Sequence, residues 1–158
     1  MIVLMVFIVF MRYLFIRDIE KISISNNNIE RFTSYTLREG KYFVLLPYGW
    51  DIDMIDDQSS DVIATFNNEE NIQGSIYIVS NSNDNVYNNI KENMDSSIII
   101  EDSYRWKVIT EKNQKNINNY YIRDYSEGKI LIVKFSYTEG KVKNSIKVVF
   151  KYIANSFA

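Results

Sequence analysis

The chain has 158 residues, 46% of them hydrophobic and 24% charged, with a formal net charge of −2, which is the composition of one folded domain rather than of a disordered tail. It contains no cysteine and no histidine. Those two zeros exclude thiol nucleophiles, disulfides, Cys/His zinc centres, iron–sulfur clusters, histidine-ligated haem and imidazole catalysis, and a pI near 5.2 with no nucleic-acid motif argues against RNA or DNA as a partner.

Residues Met1 to Phe10 are apolar without exception, and after Met11 and Arg12 the run resumes at Tyr13-Leu14-Phe15-Ile16. As a helix, sixteen residues rise about 24 Å against a hydrocarbon core of roughly 30 Å. Residues 1–16 are therefore expected to form a short single-pass membrane anchor, with Arg12 snorkelling toward Arg17 and Asp18 and with Tyr13 and Phe15 at the interface. No small-residue cleavage site follows, and no cysteine can carry a lipid, so the segment reads as a retained anchor. The two arginines follow the apolar run, which by the positive-inside tendency leaves the domain in the cytoplasm. Lysines upstream of Met1 would reverse that orientation, and an extracytoplasmic domain is the expectation.

Residues 17–40 are polar, with Asn26, Asn27 and Asn28 in their middle, and read as a juxtamembrane linker. Residues 41–158 are enough for a single core. Runs rich in Ile, Val, Tyr and Phe, broken by Asn, Asp, Ser and Gly, predict strands at 42–46, 50–55, 62–66, 72–80, 104–110, 117–125 and 129–137. In the second, Trp50, Ile52 and Met54 share one face and Asp51 and Asp53 the other. In the last, Ile130 to Val133 run on without alternation, which predicts a central strand covered on both faces. Helical spacing of Val86, Tyr87, Ile90 and Met94 after Asp84, ending at Asn93, predicts a middle helix. The stripe of Ile146, Val149, Phe150 and Ile153, started by Asn144 or Ser145, predicts a C-terminal amphipathic helix. The expected fold is thus α+β: a central antiparallel sheet of six to seven strands with these two helices, preceded by the N-terminal membrane helix.

The segment Tyr42-Phe43-Val44-Leu45-Leu46-Pro47-Tyr48-Gly49-Trp50 resembles the opening "strand, Pro-x-Gly-Trp, strand" of the PsbP/Mog1-like superfamily, and Phe150 to Phe157 is similar to the closing helix of many bacterial members. The resemblance covers residues 40 to 157. Physics accounts for the motif independently: Pro47 lacks an amide and ends a strand, Gly49 permits the turn, and Trp50 drops a large ring onto the core. The resemblance implies a non-catalytic domain that binds other proteins, with bacterial members anchored at the envelope. It supplies no cofactor and no partner-binding residues, since none of the family's contact residues can be matched.

Asp51, Asp53, Asp56, Asp57 and Asp61 form the densest acidic cluster, but their spacing fails the calcium-loop template, because Ile55 and Asp56 stand where a ligand and a glycine are needed. A solvated strand face is the better reading, and no metal, cofactor or catalytic residue is assigned. Charge is segregated along the chain: Asp51 to Asp102 holds twelve acids and one base, Lys91, for a net −11, whereas Arg105 to Ala158 holds eleven bases and four acids, for +7. Lys143, Lys147 and Lys151 recur every four residues beside the C-terminal apolar stripe and are the candidate partner-binding residues. Tyr120, Tyr121 and Tyr125 suit either stacking on a ligand or cross-strand packing. The leading expectation is a non-enzymatic, membrane-tethered protein-interaction domain at the bacterial cell envelope, with a protein partner. A binding module for an anionic cell-wall or lipid-headgroup polymer is second, and a carboxylate-dependent hydrolase third.

Overall fold

The computed structural model describes residues 2–80, 83–92, 97–102, 105–126 and 128–158. Helix α1 (Ile2–Asn26) leads into a two-stranded antiparallel hairpin, β1 (Phe32–Leu37) and β2 (Tyr42–Pro47). Then come β3 (Asp51–Met54), β4 (Val62–Asn67), β5 (Gln73–Ser80), α2 (Asn83–Glu92), β6 (Ser97–Asp102), β7 (Lys107–Asn113), β8 (Asn116–Ser126), β9 (Lys129–Thr138) and α3 (Ile146–Ser156). Strands β3 to β9 form a seven-stranded, wholly antiparallel sheet in the order β3-β4-β5-β9-β8-β7-β6.

The predicted central strand is central. Strand β9 is fourth of seven, and Ile130, Leu131, Ile132 and Val133 are all buried because each face of the sheet has its own cover. Leu131, Val133, Phe135 and Tyr137 join α3 and the β1–β2 hairpin in the main core. Ile130 and Ile132 point the other way, into a smaller aliphatic core closed by Val86, Tyr87 and Ile90 of α2. The α3 stripe is buried as its spacing predicts, and Phe150 stacks on Phe135 with ring centroids 4.1 Å apart. Beyond α3, Phe43 and Ala158 exchange two backbone hydrogen bonds (2.9 and 3.3 Å), so Ala158, the second residue past the helix, pairs with β2.

Gly49 takes φ +87°, with the Trp50 amide donating to the Pro47 carbonyl oxygen at 3.1 Å, and the turn delivers Trp50 into the core against Phe66. The face it begins is not uniformly covered. Ile52 is half-buried and Met54 is exposed, because β3 is an edge strand and its far end runs past the main core. Gly74, on β5, has a packing role instead: a Cβ there would lie 1.9 Å from the Phe66 ring, so the missing side chain is the space that ring occupies.

At the amino terminus the structure departs from expectation. A helix forms, but it runs on through Arg17, Asp18, Glu20 and Lys21 to Asn26, and no helix among the described residues is long and apolar enough to cross a membrane. Arg12 and the charged residues from 17 onward interrupt the apolar run too early. The expected spanning anchor at 1–16 is therefore not supported. Met5 to Phe10 are all solvent-exposed. Residues 17–40, read as linker, contain the last turns of α1 and the whole of β1. The end of α1 is fastened: Ile24 packs on the main core, the Asn27 side-chain amide donates to Ser145 Oγ at 3.0 Å, and Lys143 Nζ donates to the Asn26 carbonyl oxygen. Strands β1 and β6 were not anticipated. The expected helix end at Asn93 and Met94, the strand start at Tyr104 and the side chains of Arg12, Tyr13 and Arg17 lie outside the described residues.

Candidate functional site

Alternation along the strands sends Ile99 and Glu101 of β6, Val108 and Thr110 of β7, and Asn119 and Tyr121 of β8 to the same face as the main core. Helix α3 covers that face only in part. On its far side from the hairpin a groove remains between the helix and the β6 edge, made of two adjoining cavities of about 330 and 410 Å³ that share Thr110 and Lys147.

The first cavity has an aromatic wall and a polar floor. Trp106 and Tyr121 are buried and meet edge to face at 6.0 Å. The Trp106 indole N–H donates to Asn155 Oδ1 at 2.8 Å, and the Arg123 guanidinium lies 4.8 Å from the Trp106 ring centroid. The Tyr121 hydroxyl donates to the Lys147 carbonyl oxygen at 3.4 Å, and burial pushes its phenol well above the usual tyrosine range. On the floor, Thr110 Oγ1 donates to Asn119 Oδ1 at 2.7 Å. Asn119 is only 1% exposed, and its Nδ2 has no hydrogen-bond partner among the described residues. A buried amide donor left without an acceptor costs about 1–3 kcal/mol, and such groups are few in folded proteins.

Around the mouth stand Lys147 and Lys151 of α3, Glu20 of α1 and Glu101 of β6. No ion pair joins any of the four among the described residues. Of the three lysines singled out in the sequence, Lys147 and Lys151 lie one turn apart on α3 and line the first cavity. Lys143 precedes the helix, lines the second cavity and is tied to the end of α1, where its charge also meets the negative end of that helix's dipole. The structure thus brings two of the three to one rim. Trp106, Thr110 and Asn119 were not singled out. The available signal was Asn119 standing between Ile117 and Tyr121 at alternate positions of one strand, which gains meaning only when the register is known.

The other residues noted in the sequence lie elsewhere. The Pro47, Gly49 and Trp50 motif shapes the β2–β3 connection. Among the described residues no group of three carboxylates converges on a point that would suit a metal ion. Asp57 accepts from the Ser59 amide (2.9 Å) and hydroxyl (2.7 Å), which hold its carboxyl below the usual range. Tyr121 is buried, and Tyr125 is half-buried against Tyr42 and Phe157. Tyr120 points to the α2 face, where burial and the neighbouring Glu111 raise its phenol to about 12. The acidic half of the chain meets the basic half along two seams, β5–β9 and β6–β7. Only Lys107–Asp84 (3.1 Å) joins the halves by an ion pair among the described residues.

No protein-family model matches the chain, and no curated protein matches it. Among solved structures, cyanobacterial PsbP from Synechocystis sp. PCC 6803 superposes with a TM-score of 0.51 at 16% identity, covering 82% of this chain and 93% of that one. A protein from Bacteroides thetaiotaomicron aligns with a TM-score of 0.49 at 14% identity over 79% of this chain, which spans 47% of that one. A GTP binding regulator from Thermotoga maritima aligns with a TM-score of 0.38 at 13% identity, over 85% of this chain and 87% of that one. At these identities the likeness is one of fold, and it is the PsbP-like α+β fold that the Pro-x-Gly-Trp motif pointed to.

Proposed function

We propose that the chain is a non-enzymatic protein-interaction domain that docks an acidic partner along the α3 side of the groove and is held at a bacterial envelope membrane by the apolar end of α1. The observation that carries the reading is the pair of ammonium groups on Lys147 and Lys151, exposed, one turn apart and without an ion pair among the described residues, beside an apolar groove. Like charges at that spacing repel by a few tenths of a kcal/mol, a cost that an acidic partner offsets. The absence of histidine and cysteine, and the lack of a converged carboxylate cluster among the described residues, favour binding over catalysis. For the tether, the support is the six consecutive exposed apolar residues from Met5 to Phe10, a larger contiguous patch than soluble monomers usually carry.

Capture from detergent-solubilised native membranes tests the docking face. The expected result is one stoichiometric protein, lost as salt rises and lost at low salt in the Lys147→Gln/Lys151→Gln variant, whose fold is unchanged. Undiminished capture by that variant would reject the face, and retention of a purified wall polymer in place of a protein would favour the polymer reading. For the tether, the full chain is expected to stay in the membrane pellet after alkaline carbonate washing and a chain lacking residues 1–10 to be released; release of both would remove it. Protease added to wall-free cells is expected to digest the domain, and protection would place it in the cytoplasm.

A further inference from the structure

We propose that the open part of the α2 face of the sheet binds a neutral, linear glycan laid across the strands over the side-chain row Asp51, Asn67, Gln73, Ser136, Asn118 and Glu111. Strand register makes the row. Asp51 pairs with Asn67, Asn67 with Gln73, Gln73 with Ser136, Ser136 with Asn118 and Asn118 with Glu111, so one polar residue stands on each of six neighbouring strands from β3 to β7. At about 4.8 Å per strand the row is roughly 24 Å long. Helix α2 closes the same face only over Ile109, Ile122, Ile130 and Ile132, and all six residues of the row are exposed or half-buried. Along its middle lies a cavity of about 430 Å³ lined by Asn71, Gln73, Asn116, Asn118, Ser136 and Thr138, with no charged residue in its lining.

Hydrogen-bonding chemistry sets the ligand class. The inner part of the row is fixed in orientation: Ser136 Oγ donates to Asn118 Oδ1 at 2.6 Å, Asn118 Nδ2 donates to Glu111 Oε2 at 2.8 Å, and the Tyr120 hydroxyl also donates to Glu111. Asn118 keeps one N–H and one lone pair to offer. The side chains of Asn67, Asn71, Gln73 and Asn116 make no hydrogen bond among the described residues, and each amide presents both donors and an acceptor. Asp51 and Glu111 end the row with carboxylates that only accept, so a polyanion meets like charge at both ends. Lys134, in the next row, lies over the Tyr120 ring at 5.3 Å from its centroid. Sugar hydroxyls donate and accept, carry no charge and recur along a chain, which are the three properties the row calls for. A peptide satisfies its backbone amides along a strand edge, whereas this is the face of a sheet. The row lies on the opposite side of the sheet from α3, so this inference does not rest on the docking of an acidic partner, and the two fail separately.

The experiment is a titration of the full chain, held in a detergent without a sugar headgroup, with cellohexaose and with the chitin hexasaccharide. It is followed through the side-chain amides of Asn67, Gln73 and Asn118 in nitrogen–proton correlation spectra. The expected result is a saturable shift of all three with at least one hexasaccharide, at a dissociation constant of about 1 mM or tighter that does not change as salt rises. Glucose and N-acetylglucosamine, which reach only part of the row, are expected to bind at least about tenfold more weakly. Gln73 is exposed, so Gln73→Ala leaves the fold intact and is expected to weaken hexasaccharide binding about three- to tenfold, the loss of about one hydrogen bond. Lys151→Gln, on the opposite side of the sheet, is expected to change nothing. Absence of a saturable shift with either hexasaccharide would mean that the row is merely hydrated and would overturn the assignment. Equally tight binding of a single sugar, equal binding of the anionic hexagalacturonate, or indifference to Gln73→Ala would overturn it as well.

Discussion

On the β5–β9 half of the sheet, Phe135 lies among Phe66, Tyr121 and Phe150 at centroid distances of 5.7, 5.8 and 4.1 Å, and it has no exposed surface. On the β6–β7 half of the same face, Ile99 is 59% exposed. The two halves share strand type, pairing and alternation, so local propensity does not explain the difference. Coverage does. Seven strands at about 4.8 Å spacing span roughly 29 Å, whereas one helix is about 10 Å across. The β1–β2 hairpin and α3 spend that limited width on the β4–β5–β9 side, where the large rings lie. What they leave uncovered is the groove, and the unsatisfied Asn119 amide and unpaired charges lie where the cover stops.

The covered half depends most heavily on Phe135. Phe135→Ala is expected to cost about 3–5 kcal/mol, read from the denaturant midpoint at unchanged slope. A loss below about 1 kcal/mol would mean that the aromatic half is not the stabilising half. Gly74→Ala comes next, because the added Cβ would enter the Phe66 ring at 1.9 Å and the ring must move. We expect a loss of roughly 1–3 kcal/mol, the usual cost of overpacking. Combining it with Phe66→Leu should recover part of that loss, since the two positions share one space and their effects do not add.

Alkaline titration compares the two faces of one strand. Tyr120 looks toward α2 and Tyr121 toward α3, and burial raises both phenols, Tyr120 to about 12 from an ordinary 10.0. A raised phenol pKa means that the fold favours the neutral form. The associated stability is complete below about pH 10 and is lost as pH rises through about 12. The near-ultraviolet phenolate signal of these two residues should therefore appear late and together with unfolding. Early ionisation of the Tyr121 phenol, with the fold intact, would show that the groove wall is wetter than its burial indicates.

Much of this architecture was legible because it depends on local periodicity. The unalternating Ile130 to Val133 run predicted a central strand, the α3 stripe predicted its buried face, and the Pro47-Tyr48-Gly49-Trp50 turn predicted a core ring. Strand β1 was hidden because Phe32-Thr33-Ser34-Tyr35-Thr36-Leu37 lies in a polar stretch and pairs only with β2. Strand β6 was hidden because its apolar part is only three residues long, Ile98 to Ile100, and has no alternation with polar residues to mark a strand. The groove was legible only through its lysines and Tyr121. Asn119, Thr110 and Trp106 come together through the register of β7 with β8 and the position of α3, and both are set by tertiary contacts that no local pattern encodes.

The smallest expected effect tests the open half directly. Ile99→Thr keeps a β-branched side chain at a position paired with Thr110, so strand propensity is nearly unchanged and only exposed apolar surface is lost. In a chain whose groove is truly open, the cost should stay within about 0.5 kcal/mol, as for surface substitutions elsewhere. A loss of 2 kcal/mol or more, on the order of a buried large-to-small change, would mean that something covers β6 in solution. Dilution then separates the two covers available to the molecule alone. A loss that shrinks as protein concentration falls points to a second copy on the β6 edge, whose free N–H and C=O groups are a natural pairing template. One that does not change with concentration points to the apolar end of α1 folding back over the groove. Either outcome would turn the contrast between the two halves into a difference in the source of cover rather than in its amount.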